Sequence, residues 1–297
     1  VTAVALKFQV GARTLAAIPR ELVRVALSLD EALAGGAPAL PPLAARDDGY
    51  LVTSLPDGAV LDWRGVTFVR QRYTRHFVDL AGGEAAWRAG LSGQVRSTMK
   101  RKAKKLAAAN GGVLDVRRFR SAADMAAFHP LARAVAATTY QEKLLGSALP
   151  ADAAFVQRMV ALAGEDRARA WLLYLGDAPI AYLWCAGQGS ALRYDYVGHD
   201  PAHQALSPGA VLMEAALGDL FADRFARFDF TEGEGQHKRT LASGGVAACD
   251  LLLLRPTLAN RAAVAALAGF DGALARAKRW AEAPALKGLA RRVRRAA

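Results

Sequence analysis

The stretch QALSPGAVLMEAALGDLFADRFARFDFTEGEGQHK, residues 204–238, gathers residue types suited to holding a phosphate and moving a proton. Ser207 reads as a helix N-cap and Pro208 as the first helical residue, where no N–H is needed. Gly209 allows close approach of the backbone to a ligand. The first turn of such a helix offers N–H groups and the positive end of its dipole, which together favour an anion. Gln204, Leu206, Ser207, Gly209, Ala210 and Val211 are therefore read as a cradle for a cofactor diphosphate. One strand later, the loop after Asp229 carries Glu234, His237 and Lys238. Glu234 and His237 can each take a proton from an attacking amine or hydroxyl. Lys238 can stabilise an oxyanion or a substrate phosphate, or stand on the surface. Asp229 is read either as part of the site or as a hydrogen-bond anchor for the loop backbone. Tyr196, at the end of the preceding strand, is read as facing the cradle or as core packing.

Positioning these residues requires a mixed α/β scaffold. Residues 1 to 80 read as short strands: ALKFQV, YLVTSL, AVLDW, VTFVRQRY and RHFVDL, with a Pro- and Gly-rich loop between the first two. From Glu84 to Asn110 the pattern is helical. Trp87, Leu91, Val95 and Met99 recur every four residues, and Arg96, Lys100 and Lys104 line the opposite side. Gly111 and Gly112 end that helix. The strand VLDVRRF follows, then helices at 121–138 and 151–164. Next come three antiparallel-type strands, WLLYLG, IAYLWCAG and SALRYDYVG. The Ser207 turn and its helix follow, then the strand RFDF, the Gly-rich loop and the strand VAACDLLLL. The last 40 or so residues are Ala-rich and helical, interrupted at Pro284.

Composition narrows the chemistry. At 297 residues the chain is long enough for one large domain or two smaller ones. Apolar runs fall short of a membrane span, and the N-terminal residues lack the order of a signal peptide, so a cytoplasmic location is expected. Cys185 and Cys249 lie in apolar strand-like runs and are expected as buried free thiols. Two cysteines and five scattered histidines give no metal-ligand spacing, so no metal is expected. The net charge of +12 is concentrated in two segments. Residues 92–105 carry six basic residues and no acid, and residues 256–297 carry nine basic residues against Asp271 and Glu282. Arg96, Lys100 and Arg101 form either a solvated helix face or a contact for a substrate phosphate or polyanion.

The order of elements from residue 121 onward resembles the GNAT acyltransferase fold. Gln204, Ser207 and Gly209 occupy the marked positions of its Q/R-x-x-G-x-G/A pyrophosphate loop, with Ser207 in place of the first glycine and Pro208 removing one N–H. The strings YDYVGHDP, LSPGAVL and FDFTEGEGQHK look like the CelD/BcsL-type, GNAT-like acetyltransferase family associated with bacterial cellulose biosynthesis. Tyr196, Asp200, Pro208, Gly209, Asp229, Phe230, Gly233 and Lys238 fall on its pattern, whereas Thr231 and His237 replace the commonest glycine and tyrosine. The resemblance covers about residues 85–255. That family is similar in turn to Fem-type transferases, which carry two GNAT-like halves. It implies an α/β (α+β) GNAT-like fold in two tandem halves, a degenerate one over 1–110 and a catalytic one over 111–297. It also adds Asp200 and Gly233 to Arg96, Lys100 and Arg101 as residues around the substrate.

The function so implied is CoA-dependent N- or O-acyl transfer, with acetyl-CoA or another acyl-CoA as co-substrate and no metal. The acceptor would be a small molecule, saccharide or peptide precursor. A Fem-like transferase using aminoacyl-tRNA, or a non-enzymatic polyanion-binding protein on the same scaffold, are the alternatives. The tail ALKGLARRVRRAA places Leu286, Leu289 and Val293 on one helical face, crowded by Arg291, Arg292, Arg294 and Arg295. It reads as a docked terminal helix or as an anchor on an anionic membrane at the inner face.

Overall fold

The computed structural model describes residues 2–10, 13–139, 149–233 and 235–282. They form two compact units. The first comprises residues 1–27, 35–72 and 249–297, and the second residues 28–34 and 73–248. Neither unit divides from the other at residue 110.

In the first unit, β1 (Thr2–Val10) and β2 (Arg13–Ala26) form an antiparallel hairpin, and β3 (Gly49–Pro56) lies parallel to β2. β10 (Gly244–Leu254) and β4 (Val66–Asp79) complete the strand order β1-β2-β3-β10-β4. Gly49 is required where it stands: a Cβ there would lie 1.9 Å from the Leu253 carbonyl oxygen. The long helix Leu258–Glu282 packs on one sheet face through Ala263 and Leu267, with Phe270 edge-on to Phe8. Tyr50, Val52, Leu251 and Leu253 build the core on the other face. Three sequence expectations change here. RTLAAIPRELVRVA, not among the expected strands, is one, VTFVRQRY and RHFVDL are one continuous strand, and AVLDW is not a strand. Two-sided exposure along β2 hid its period, since most of its residues face solvent on both sides.

In the second unit, β5 (Asp115–Phe119), β6 (Ala168–Leu175), β7 (Ala178–Gln188) and β8 (Ala191–His199) run antiparallel to one another, and β9 (Arg227–Asp229) lies parallel to β8. The strand order here is β10-β4-β9-β8-β7-β6-β5. α1 (Leu29–Ala34) is a short helix that precedes them. One sheet face carries α2 (Gly83–Gly90), α3 (Gly93–Ala109) and α6 (Pro208–Leu220), around a core that includes Trp87, Leu106, Leu183, Leu212 and Phe228. The opposite face carries α4 (Ala122–Thr138) and α5 (Ala153–Gly164), packed through Phe128, Met159, Leu172 and Trp184. Each such fully buried side chain contributes about 1.5–3 kcal/mol.

The helix expected from Glu84 to Asn110 is two helices. The chain turns extended at Leu91, and Ser92 caps α3 by accepting the Val95 N–H at 3.3 Å. The fourfold apolar spacing runs through the break because Trp87, Leu91, Val95 and Met99 all meet the same core. Serine in an otherwise helical pattern was the available signal for a new start.

Candidate functional site

A cleft of about 880 Å3 opens within the second unit. Its position follows from the strand pairing. β8 and β9 are bonded only over Ala191–Arg193 against Arg227–Asp229, and β8 then runs on to His199 paired with β7 but not with β9. A crevice where parallel strands part, beside the helix that follows, is where open α/β sheets take ligands. One wall is α3, whose residues Gln94, Val95, Thr98, Met99 and Lys102 share a face at helical spacing. The floor is Tyr194, Val197, Gly198 and His199 of β8. The start of α6 forms one side, and α7 (Gln236–Leu241) closes another with Gln236, His237, Thr240 and Leu241.

The face that β8 turns to the cleft is decided by a bulge. Cys185 pairs with Tyr194 and Trp184 with Tyr196, so Asp195 has no partner in the register. One extra residue reverses the alternation of side chains. Tyr194 therefore faces the cleft, while Tyr196 packs on the other sheet face against Phe155 and Trp184 at ring separations of 5.3 and 5.9 Å. The expectation that Tyr196 faces the cradle is corrected on this point, and Tyr194 is the aromatic residue in its place. Burial raises the Tyr194 pKa, so its hydroxyl stays protonated across the working range.

The turn before α6 is built from three local devices. The Asp200 carboxylate accepts the Ala202 N–H at 3.0 Å and starts the 3₁₀ turn Pro201–Leu206. Asp200 thus caps this turn, and it is not among the residues lining the cleft. Ser207 ends the turn in the left-handed conformation, φ 55° and ψ 47°, and its side chain makes no capping hydrogen bond to α6. The expectation of side-chain capping by Ser207 fails because a left-handed N-cap does not aim its oxygen at the first-turn amides. The glycine that Ser207 replaces in the GNAT pattern would suit this φ. Pro208 has no N–H, and the amides of Ala210 and Val211 both donate to the Ser207 carbonyl. The carbonyl of Ala205, four residues before Gly209, accepts Lys105 Nζ at 2.9 Å. Among the described residues, no backbone carbonyl outside the helix accepts the Gly209 N–H. Of the cradle residues, Gln204, Gly209, Ala210 and Val211 line the cleft. Leu206 packs instead against the core of the unit.

The loop after β9 hangs on a buried ion pair. Asp229 is fully buried and bound twice by Arg75, Nε–Oδ1 at 3.1 Å and Nη2–Oδ2 at 2.5 Å. Its Oδ1 also accepts the Thr231 N–H at 2.8 Å, which holds Thr231 at φ 60°. Asp229 is thus the loop anchor, and Arg75 is a partner that sequence spacing did not reveal. Lys238 is buried and donates to the Glu232 carbonyl at 2.7 Å, closing the same loop from its far end. It does not line the cleft, and neither does Gly233, whose φ of 87° shapes the loop. Glu234 lies outside the described residues. His237 does line the cleft, with its ring against Tyr194 and Phe230 at 6.2 and 6.3 Å. Burial of its inner face, followed by the charge of Lys238 beside it, lowers the imidazole pKa. It is a neutral base at physiological pH.

The basic helix divides by face. Arg96 donates to the carbonyls of Arg88, Ala89 and Leu91, where it caps the C-terminal end of α2. The expectation of a substrate contact from Arg96 is corrected accordingly. Lys100 and Arg101 are exposed and do not line the cleft, whereas Lys102 does. Glu214 also lines it and is paired with Arg88 at 3.3 Å. Cys185 and Cys249 are both buried and free, and burial raises both thiol pKa values.

Residues 93–239 match the family model described as acetyltransferase (GNAT) domain. No curated protein matches the sequence. Among solved structures, the chain is similar to the C-terminal domain (DUF2156) of a putative lysylphosphatidylglycerol synthetase from Agrobacterium fabrum. The two are 9% identical with a TM-score of 0.50, over 75% of this chain and 72% of that one. FemX is 10% identical with a TM-score of 0.41, over 60% and 61% of the two chains. A GCN5-related N-acetyltransferase from Kribbella flavida is 15% identical with a TM-score of 0.40, over 72% and 71%. At these identities the likeness concerns fold alone. The mixed α/β architecture is GNAT-like, and the stretch that matches the GNAT acetyltransferase model, residues 93–239, includes all of the cleft lining except Thr240 and Leu241.

Proposed function

We propose that the protein is a CoA-dependent N- or O-acyltransferase. It would move an acyl group from a thioester to an amine or hydroxyl of a small-molecule, saccharide or peptide acceptor. One arrangement carries this reading: the Gly209 amide and the neutral His237 imidazole line the same cleft. The amide, with Lys102 on the facing helix, suits the diphosphate of a CoA thioester. The acceptor attacks the thioester carbonyl, the new C–N or C–O bond forms, and the C–S bond breaks. His237 takes the acceptor's proton and the released thiolate is protonated in turn. Glu234 remains in the proposal as the alternative base. Lys238 and Asp229 enter it as the residues that hold the loop carrying His237.

The assignment of 1–110 and 111–297 as tandem halves belongs to the same proposal, as a statement of descent rather than of contacts. So does a peripheral membrane location through the tail, whose residues 283–297 lie outside the described ones. No helix among the described residues is long and apolar enough to cross a membrane.

Calorimetric titration with acetyl-CoA tests the reading. In Gly209→Val a branched side chain enters the space toward His199, whose Nδ1 lies 3.4 Å from where a Cβ at residue 209 would stand. Binding should weaken by about tenfold or more, a loss of about 1.4 kcal/mol. Unchanged affinity would show the cradle to be wrongly placed, and absence of binding to the wild type would remove the CoA reading. The exposed Lys100, Arg101 and Lys104 face favours a second reading, transfer from aminoacyl-tRNA. Mass spectrometry of retained ligands separates the two, as acyl-CoA or as tRNA.

A further inference from the structure

The cleft lining is more apolar than polar, and Val95 and Met99 of α3, Val197 of β8, Val211 and Met213 of α6 and Leu241 of α7 all contribute to it. Two of the four methionines in the chain lie here. Methionine is unbranched and polarizable, so a methionine-lined wall repacks around apolar groups of different length. Lys102 also lines the cleft, and the carboxylate of Glu214 there is paired with Arg88. A volume of about 880 Å3 lies near the upper end for small-ligand sites.

Resting on the acyltransferase reading, we infer that this cleft is built for a donor whose acyl group is an aliphatic chain longer than acetyl. The charge pattern matches such a donor, with its phosphates toward Lys102 and the Gly209 amide and its chain among the Val and Met side chains. Chemistry at the carbonyl is unchanged by chain length: the same C–S bond breaks and the same ester or amide forms. The chain contributes binding through burial, and a fully buried methylene is worth about fourfold in affinity.

Calorimetry of the full chain with acetyl-, butyryl- and octanoyl-CoA, at concentrations below micelle formation, reads this directly. Octanoyl-CoA should bind at least about tenfold more tightly than acetyl-CoA, less than the fully buried limit because the cleft is open at its margin. Met99→Trp fills the interior, and the ratio of the two dissociation constants should fall toward one in that variant. Equal affinity for all three thioesters in the wild type would overturn the inference and leave the acyltransferase reading in place. Binding of octylamine beside acetyl-CoA, with no gain from octanoyl-CoA, would assign the aliphatic space to the acceptor and overturn it as well. No binding of any thioester would remove both readings.

Discussion

At the scale of single residues, the site rests on a few side chains in costly conformations. Arg75 and Asp229 are both almost wholly buried, so removal of either leaves an uncompensated charge. Asp229→Ala should destabilise the fold by about 3–5 kcal/mol, read as a lowered midpoint in urea unfolding. Replacing both residues by apolar side chains of similar volume should cost less than the single change. Thr231 is β-branched at φ 60°, a conformation that costs an L-residue about 1–2 kcal/mol. Thr231→Gly should raise the unfolding free energy by up to that amount, read as a higher midpoint, and an unchanged midpoint would mean the loop relaxes without it. As the proposed base, His237 would set the pH dependence. Its folded pKa lies below the ordinary imidazole value, so the neutral base persists as pH falls through about 6.5. kcat/KM should hold to a pH below that value and then decline on protonation. The same shift makes the unfolded state the better proton acceptor, so its contribution favours folding above about pH 6.5 and is lost as pH falls toward the folded pKa. His237→Gln should reduce turnover by roughly a hundredfold or more and remove the acid limb. A full-rate variant would move the base to Glu234 or to water.

At the scale of elements, the bulge in β8 and the break between α2 and α3 do most to define the cleft. The bulge sends Tyr194 to the site and Tyr196 to the opposite core. Tyr196→Phe, which keeps the ring packed against Phe155 and Trp184, should leave acyl-CoA affinity within twofold of the wild type, a difference of about 0.4 kcal/mol. A tenfold loss would return this tyrosine to the site. The helix break frees α3 to lay one face along the cleft while Arg96 caps α2 behind it. Ser92→Ala should cost about 1 kcal/mol through loss of the N-cap. Thermal unfolding followed by circular dichroism reads that loss.

At the scale of the molecule, the charge of +12 is not consumed by the site. Lys102 faces the cleft, Lys105 braces the turn before α6 and Arg96 caps α2, which leaves Lys100, Arg101 and Lys104 exposed on the outer side of α3. A polyanion would meet that outer side. The triple substitution of Lys100, Arg101 and Lys104 by Gln should lower the salt concentration at which the protein leaves a heparin column, and flatten any salt dependence of RNA binding by up to about three counterions. Acyl-CoA affinity in the same variant separates the two faces: a change there would mean the outer side also serves the cleft.

The sequence by itself determined the strands β6 to β10 and the helix α6 among them, because each is a local apolar period punctuated by Gly, Pro or a cap residue. It also determined that a turn stands at Ser207 and Pro208 and a loop after Asp229, but it read the helix α7 as part of that loop, whose shape depends on Arg75. Resemblance of those strings to a known family led to the fold that the structural likeness and the match over residues 93–239 bear out. What only the tertiary structure decided is which side chains meet. Arg75 reaches Asp229 from 154 positions away, a pairing that no local pattern encodes. Tyr194 replaces Tyr196 because a single unpaired residue in the β7–β8 register reverses the faces of a strand whose composition is alike on both. Lys102 rather than Arg96, Lys100 or Arg101 enters the cleft because the azimuth of α3 is set by the core contacts of Leu106, Val95 and Met99. Register and azimuth are properties of packing, and a one-dimensional pattern leaves them open.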